Sequence, residues 1–242
     1  MMRKKRGYNR ETPLELVRDY KLFAIACEGE KREPEYFKLF RFLSKKIAVD
    51  IIEDIVSEKE AITLNPNKSA PKWVLDRAIK YIEKEGLNDE DELWFVMDID
   101  RWSLLQIKEI ADYCKQFPNW NIILSNPCFE VWLYLHKKSD FNLSTSTSCN
   151  DFKNEISTLE KGGYHPLKFI ANLPFAVKNA KALDNNKKYY FPSINNSKVY
   201  KLGEAILKII GQKGFDDFIN IYLPILIKEE AQKLKNSKLK SK

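Results

Sequence analysis

The chain is 242 residues long, 44% hydrophobic and 12% aromatic, with a formal net charge of +7. This is ample for a packed core and excludes disorder across the whole chain. No apolar run has bilayer-spanning length, and the basic N-terminus leads into no signal-peptide core, so a soluble, cytoplasmic protein is expected.

Lys21–Cys27 (KLFAIAC) is a short apolar run ending in charged residues and predicts a buried strand. Pro34 then opens an amphipathic stretch in which Tyr36, Phe37, Phe40, Leu43 and Ile47 recur at helical spacing. Alternation over residues 49–56 predicts a second strand. After a loop containing Asn65, Pro66 and Asn67, a helix is expected from about Pro71 to Glu85, with Val74, Leu75, Ala78, Ile79 and Ile82 on its apolar face and Gly86 ending it. Residues 93–99 (LWFVMDI) form the third predicted strand. Ser103 and Gln106 make a capping box for the helix that follows, through Leu104, Ile107, Ala111 and Cys114. Residues 121–125 (NIILS) predict a fourth strand, and residues 129–138 a helix.

The pattern changes after Lys138. Residues 139–150 (SDFNLSTSTSCN) read as a polar linker, and beyond it helices are expected near 151–159, 173–183, 199–210 and 222–234, with no strand. Four parts result: a basic N-terminal segment over 1–20, an α/β domain over 21–138, the linker over 139–150, and a helical extension with a basic tail over 151–242. Strands alternating with helices at this pace predict an α/β fold, with a parallel sheet of about four strands flanked by helices.

The positive charge is concentrated at the ends. Residues 1–10 carry +5 and residues 228–242 carry +4, which leaves −2 across 11–227. Such ends can hold phosphate backbones by counterion release, or simply be solvated. The four cysteines are widely spaced and there are two histidines, so neither a disulfide framework nor a Cys/His zinc site is expected. Any metal ligands should be carboxylates, which favours Mg²⁺ or Mn²⁺.

Functional groups in an open parallel sheet gather beyond the carboxyl ends of the strands, and each acidic motif falls there. Glu28, Glu30 and Glu33 follow the first strand, Asp98 and Asp100 close the third, and Glu130 follows the fourth. Residues two apart on a strand point the same way, so Asp98 and Asp100 should share a face. Carboxylates brought together in this way repel one another until a pKa rises or a cation intervenes. Gly29 is expected to let the backbone turn sharply behind Glu28 and a phosphate approach. Phosphoryl transfer or phosphodiester hydrolysis fits such a site. The plainer reading is that these groups cap helices or pair with lysine, and that Glu130 forms a salt bridge. His136 and the aromatics Trp94, Phe95 and Trp132 are expected to be structural.

A glutamate after the first strand and an Asp-x-Asp after a later one resemble the signature of the Toprim fold. Residues 26–37 (ACEGEKREPEYF) and 125–136 (SNPCFEVWLYLH) look more narrowly like the RloB-like, or AbiLii-type, family, and residues 191–202 (FPSINNSKVYKL) are similar to its C-terminal region. The resemblance implies a Toprim-like Rossmannoid sheet in a bacterial anti-phage, abortive-infection effector. It implies a magnesium-dependent nuclease acting on RNA (tRNA included) or DNA, held back by an ABC/AAA-type ATPase partner. Glu28 would be a metal ligand or general acid/base, and Asp98 and Asp100 metal ligands. Related motifs place a second acidic residue four positions after the glutamate. Arg32 stands there instead, which leaves Glu30, Glu33 and Glu130 as candidates for a second-metal or supporting role. Lys31 and Arg101 would either neutralise transition-state charge or act as ordinary counter-ions. The alternative function is a non-catalytic, metal- or nucleotide-binding regulatory subunit of the ATPase.

Overall fold

A computed structural model describes residues 19–53, 70–139, 147–160 and 163–240. The basic segment over 1–18, the Asn65–Asn67 loop and most of the polar linker lie outside these residues. The elements in order are β1 (Lys21–Cys27), α1 (Arg32–Phe37), β2 (Ile47–Ile51), α2 (Pro71–Glu85), β3 (Glu92–Asp98), α3 (Leu104–Cys114), β4 (Trp120–Asn126), α4 (Glu130–Leu135), α5 (Cys149–Leu159), α6 (Pro166–Ile170), α7 (Leu173–Leu183), β5 (Asn196–Ser197), α8 (Tyr200–Asp217) and α9 (Leu223–Lys240).

Among the described residues the sheet has five strands in the order β2-β1-β3-β4-β5, parallel throughout except at β5. Its layers follow from the two-residue side-chain period of a strand. Phe23, Ile25 and Cys27 of β1, Trp94 and Val96 of β3 and Ile123 of β4 face one core. That core is shared with Phe37 and Phe40, with Trp132 of α4, and with helices α5 to α8 through residues such as Phe152, Phe169, Val177 and Ile206. Ala24, Ala26, Leu93, Phe95, Met97 and Leu124 face the opposite way, against Val74, Leu75 and Ala78 of α2 and Ile107 and Ile110 of α3. The predicted helical region therefore fills one face of the sheet. Among the described residues no helix is long and apolar enough to cross a membrane.

Several expectations are corrected. The stretch after Pro34 is not one helix: α1 is six residues long, the chain tightens into a 3-10 turn over Lys38–Phe42, and Ile47 belongs to β2. The second strand begins at Ile47 rather than at residue 49, because the alternation of Ile47, Val49 and Ile51 already fits the pairing with β1 from Lys21 onward. A fifth strand exists where none was expected. It is two residues long, too short for any period, and it is recruited by pairing with Ser125 and Asn126 at the end of β4. The last helices also run further, with α8 interrupted at Gly211, whose φ of 66° suits glycine. By contrast, α2, α7 and the Ser103/Gln106 capping box lie where the sequence places them.

Strand order sets where a site can form. From β1 the chain moves outward to β2, then returns to the other side of β1 as β3. The β1/β3 boundary is thus a topological switch point, where connections leave in opposite directions and open a crevice at the carboxyl ends. Glu28 follows β1 there, and Asp98 ends β3.

Candidate functional site

That crevice is a cleft of about 460 Å³ lined by Glu28, Gly29, Glu30, Lys31, Arg32, Glu33, Asp98, Asp100, Arg101, Glu130, Cys149 and Lys153. All eight residues singled out from the sequence line it. A larger cleft of about 930 Å³, lined by Asp19, Lys21, Lys46 and residues 87–91 among others, lies at the amino ends of β1 and β3, away from the acidic motifs.

Glu28 is buried immediately beyond β1. Its Oε2 accepts the Asp98 backbone N–H at 2.8 Å and its Oε1 accepts the Trp102 indole N–H at 2.8 Å. Burial pushes its carboxyl up to about 7 against the pull of those two donors, with Glu33 and Asp100 adding to the rise. Glu33 is likewise pushed up to about 7, by burial first and by the Glu130 charge next, while backbone N–H groups and Arg32 pull the other way. Burial also drives Asp98 well above the usual carboxylate range, reinforced by Glu33, Glu28 and Glu130.

Asp98 is the last residue of β3, so Asp100 lies past the strand, in the following bend, rather than on it. Both still reach the cleft. Asp100 accepts a hydrogen bond from the Cys149 thiol at 3.1 Å and stands 3.9 Å from the Arg101 guanidinium. Glu130 is the first residue of α4, and its buried carboxylate pairs with Arg32. That is the salt bridge the plainer reading anticipated. Glu30, Lys31 and Arg101 are exposed at the rim.

The role expected of Gly29 is corrected. Its φ is not positive; the space beside its Cα is taken by Glu33, and a Cβ there would overlap that carboxylate. Glycine is required for a close approach, but by a side chain of the chain itself. His136 is buried away from the cleft, with ring nitrogens 2.8 Å from the Tyr36 hydroxyl and 2.9 Å from the Trp132 carbonyl. Trp94, Phe95 and Trp132 are core residues.

Sequence reasoning missed Trp102, Cys149 and Lys153, and saw Arg32 only as a departure from a motif. Trp102 and Arg32 lie within a few residues of the acidic motifs. Cys149 and Lys153 arrive from α5 across a segment with no readable period, and nothing in the sequence signals them.

Six carboxylates against four basic side chains, three of the six with raised pKa values, form a donor set suited to a hard divalent cation. Each Glu28 oxygen keeps a lone pair beyond the N–H bond it accepts. Among the described residues, no three or more His, Cys, Asp or Glu side chains are drawn together as a formed metal centre. The carboxylates share the cleft, and Glu28 is turned toward its N–H donors.

No curated protein and no solved structure matches the chain. The family model described as RloB-like protein matches residues 23–206, which takes in both acidic blocks, β5 and the start of α8. The chain belongs to the RloB-like family.

Proposed function

We propose that this protein is a metal-dependent phosphodiesterase with a Toprim-type site, cutting RNA or DNA as an anti-phage effector in the bacterial cytoplasm alongside an ABC/AAA-type ATPase. The observation that carries this reading is the gathering of Glu28, Glu33, Asp98, Asp100 and Glu130 in one open cleft at the β1/β3 switch point. Buried carboxylates with raised pKa values weaken a fold at neutral pH, so a cluster of them in one cleft favours a functional reason for their presence. Glu28, Asp98 and Asp100 would hold Mg²⁺ or Mn²⁺, and Glu33, buried against Gly29, is the strongest candidate to support them or to hold a second ion. A bound divalent cation would polarise the scissile phosphate and activate water. Without a cation the Glu28 carboxyl is raised to about 7, so it can hold a proton that metal binding would displace. Lys31 and Arg101 at the rim are placed to meet the charge on a phosphate group.

The test incubates the full chain, with and without its ATPase partner, with Mg²⁺ or Mn²⁺ and separate pools of tRNA, single-stranded DNA and duplex DNA. Cleavage of one pool, lost in Glu28→Gln and in Asp98→Asn, is expected. Cleavage that persists unchanged in both variants overturns the reading. One observation favours the alternative, a metal- or nucleotide-binding regulatory subunit: both Glu28 oxygens are already held by N–H donors. Metal binding without cleavage of any pool, even with the ATPase present, would support that alternative.

A further inference from the structure

The turn between α7 and β5 carries Lys187, Lys188, Tyr189, Tyr190 and Phe191 in succession. The three rings pack on one another, with centroids 5.2 Å apart for Tyr189–Tyr190, 4.7 Å for Tyr190–Phe191 and 5.6 Å for Tyr189–Phe191. Tyr190 and Phe191 are anchored against the core behind α2 and α3. Tyr189 forms the outer ring and is 50% exposed. Tyr190 and Phe191 are half-buried, and the exposed Tyr189 ring is held by them as the outer face of a three-ring cluster, unlike a lone surface tyrosine.

The turn is also held rigidly. The Lys198 ammonium, buried, donates to both Asp184 oxygens at 2.6 Å and to the Asn186 carbonyl at 2.7 Å. Tyr200 donates to Asp184 at 2.7 Å, and Lys201 to the Lys187 carbonyl at 2.9 Å. At the far side the Asn126 amide donates to the Pro192 carbonyl at 3.3 Å, which ties the turn to the carboxyl end of β4. Asp98 is paired in register with Ser125 at that same end. Lys187 and Lys188 are exposed, and no acidic residue occurs between positions 185 and 203.

A preset aromatic face flanked by two exposed ammonium groups, with the neighbouring Asp112 carboxylate already paired to Lys115, matches what a single nucleic-acid strand requires. Each unpaired base offers a face for stacking, and each phosphate a charge for lysine. Duplex bases present no such face. We propose that residues 187–191 form a single-strand platform, with Tyr189, backed by Tyr190 and Phe191, stacking a base while Lys187 and Lys188 hold adjoining phosphates. The platform supplies the strand-binding part of the nuclease reading and rests on it.

The test measures binding of the full chain to fluorescein-labelled, mixed-sequence single-stranded RNA and DNA by anisotropy in EDTA, so that no metal chemistry contributes. Tyr189→Ala is expected to weaken binding between about 5-fold and 150-fold, and Tyr189→Phe to retain it. Lys187→Ala with Lys188→Ala should weaken binding and flatten its salt dependence by a slope of about 1 to 2. Single-strand affinity unchanged in Tyr189→Ala, or no single-strand binding by the unaltered chain, overturns the proposal. Glu28→Gln separates the two readings. If Tyr189→Ala loses binding while no condition yields metal-dependent cleavage, the platform stands and the nuclease fails. If Glu28→Gln abolishes cleavage while Tyr189→Ala binds normally, the reverse holds.

Discussion

Asp184 and Glu33 are almost equally withdrawn from water, at 7% and 8% exposure, but their carboxyls move in opposite directions. Burial pushes Asp184 up, but hydrogen bonds from Lys198, Tyr200 and the Asn186 N–H outweigh it and hold the group below its ordinary range. Burial pushes Glu33 up as well, and its neighbour Glu130 pushes it further, to about 7. Asp184 lies nearer the protein surface than Glu33 despite its similar exposure, so partners and depth together decide whether a buried carboxylate stabilises a fold or weakens it. The Asp184 site is complete and fixes the turn before β5. The cleft at the β1/β3 boundary is incomplete, and the proposed function rests on its unbalanced charge.

Breaking the completed site should have the largest effect. Lys198→Met would leave Asp184 buried without its cation, and a loss of about 3–5 kcal/mol in urea denaturation is expected. A loss below about 1 kcal/mol would place Asp184 in the same class as the cleft residues.

The opposite sign is expected in the cleft. The folded-state pKa of Glu33 is raised, so its contribution is fully present below the unfolded value of about 4.5 and is lost as pH rises through about 7. Glu33→Gln removes that loss, and metal-free protein at pH 8 should gain up to about 3 kcal/mol. Added Mg²⁺ should stabilise the unaltered chain at pH 8 and the variant less. Destabilisation by Glu33→Gln under metal-free conditions would remove the contrast with Asp184.

His136 supplies a buried titrating group with no charged partner in its hydrogen bonds. Burial lowers it to about 3, against the pull of the Trp132 carbonyl. Its contribution is present above about 6.5 and is lost on acidification at up to about 1.4 kcal/mol per pH unit. The His136 and Glu33 windows overlap between about pH 4.5 and 6.5, where their slopes oppose and cancel; with Glu28 raised as well, metal-free protein should lose stability from about pH 4.5 to pH 7, and magnesium should reduce that loss. A stability profile flat from pH 4.5 to pH 8 would contradict the raised carboxyls of Glu28 and Glu33, and one flat from pH 3 to pH 4.5 would contradict the lowered His136. The smallest effect belongs to Trp102→Phe, which removes one donor from Glu28. A loss of about 1 kcal/mol at pH 8 is expected, diminishing toward pH 5 as Glu28 takes up its proton.

Much of the architecture is legible because burial on both faces of the sheet writes strong local patterns. β1, α2 and α7 follow from apolar runs and helical spacing alone. β2 is misplaced by two residues because Ile47 satisfies a helical and a strand period equally well. β5 is set by a tertiary pairing that two residues cannot announce. In the cleft, the acidic residues are legible because they follow strand ends, and strand order then brings them together. How they are turned is not legible. The Trp102 donor on Glu28, the Glu33 carboxylate against Gly29 and the Cys149 thiol on Asp100 are contacts across 74, 4 and 49 positions, fixed by packing. The Lys198–Asp184 pair lies at the edge of a family-like stretch, but nothing in that stretch distinguishes a buried lysine from a solvated one.

The most direct measurement is a calorimetric titration of Mn²⁺ into the metal-free full chain and its Asp98→Asn variant at pH 7.5. The unaltered chain should bind saturably and the variant should not, while Lys187→Ala should bind as the unaltered chain does. Equal Mn²⁺ binding by the unaltered chain and Asp98→Asn, or no saturable binding by either, would contradict a cation site in the cleft.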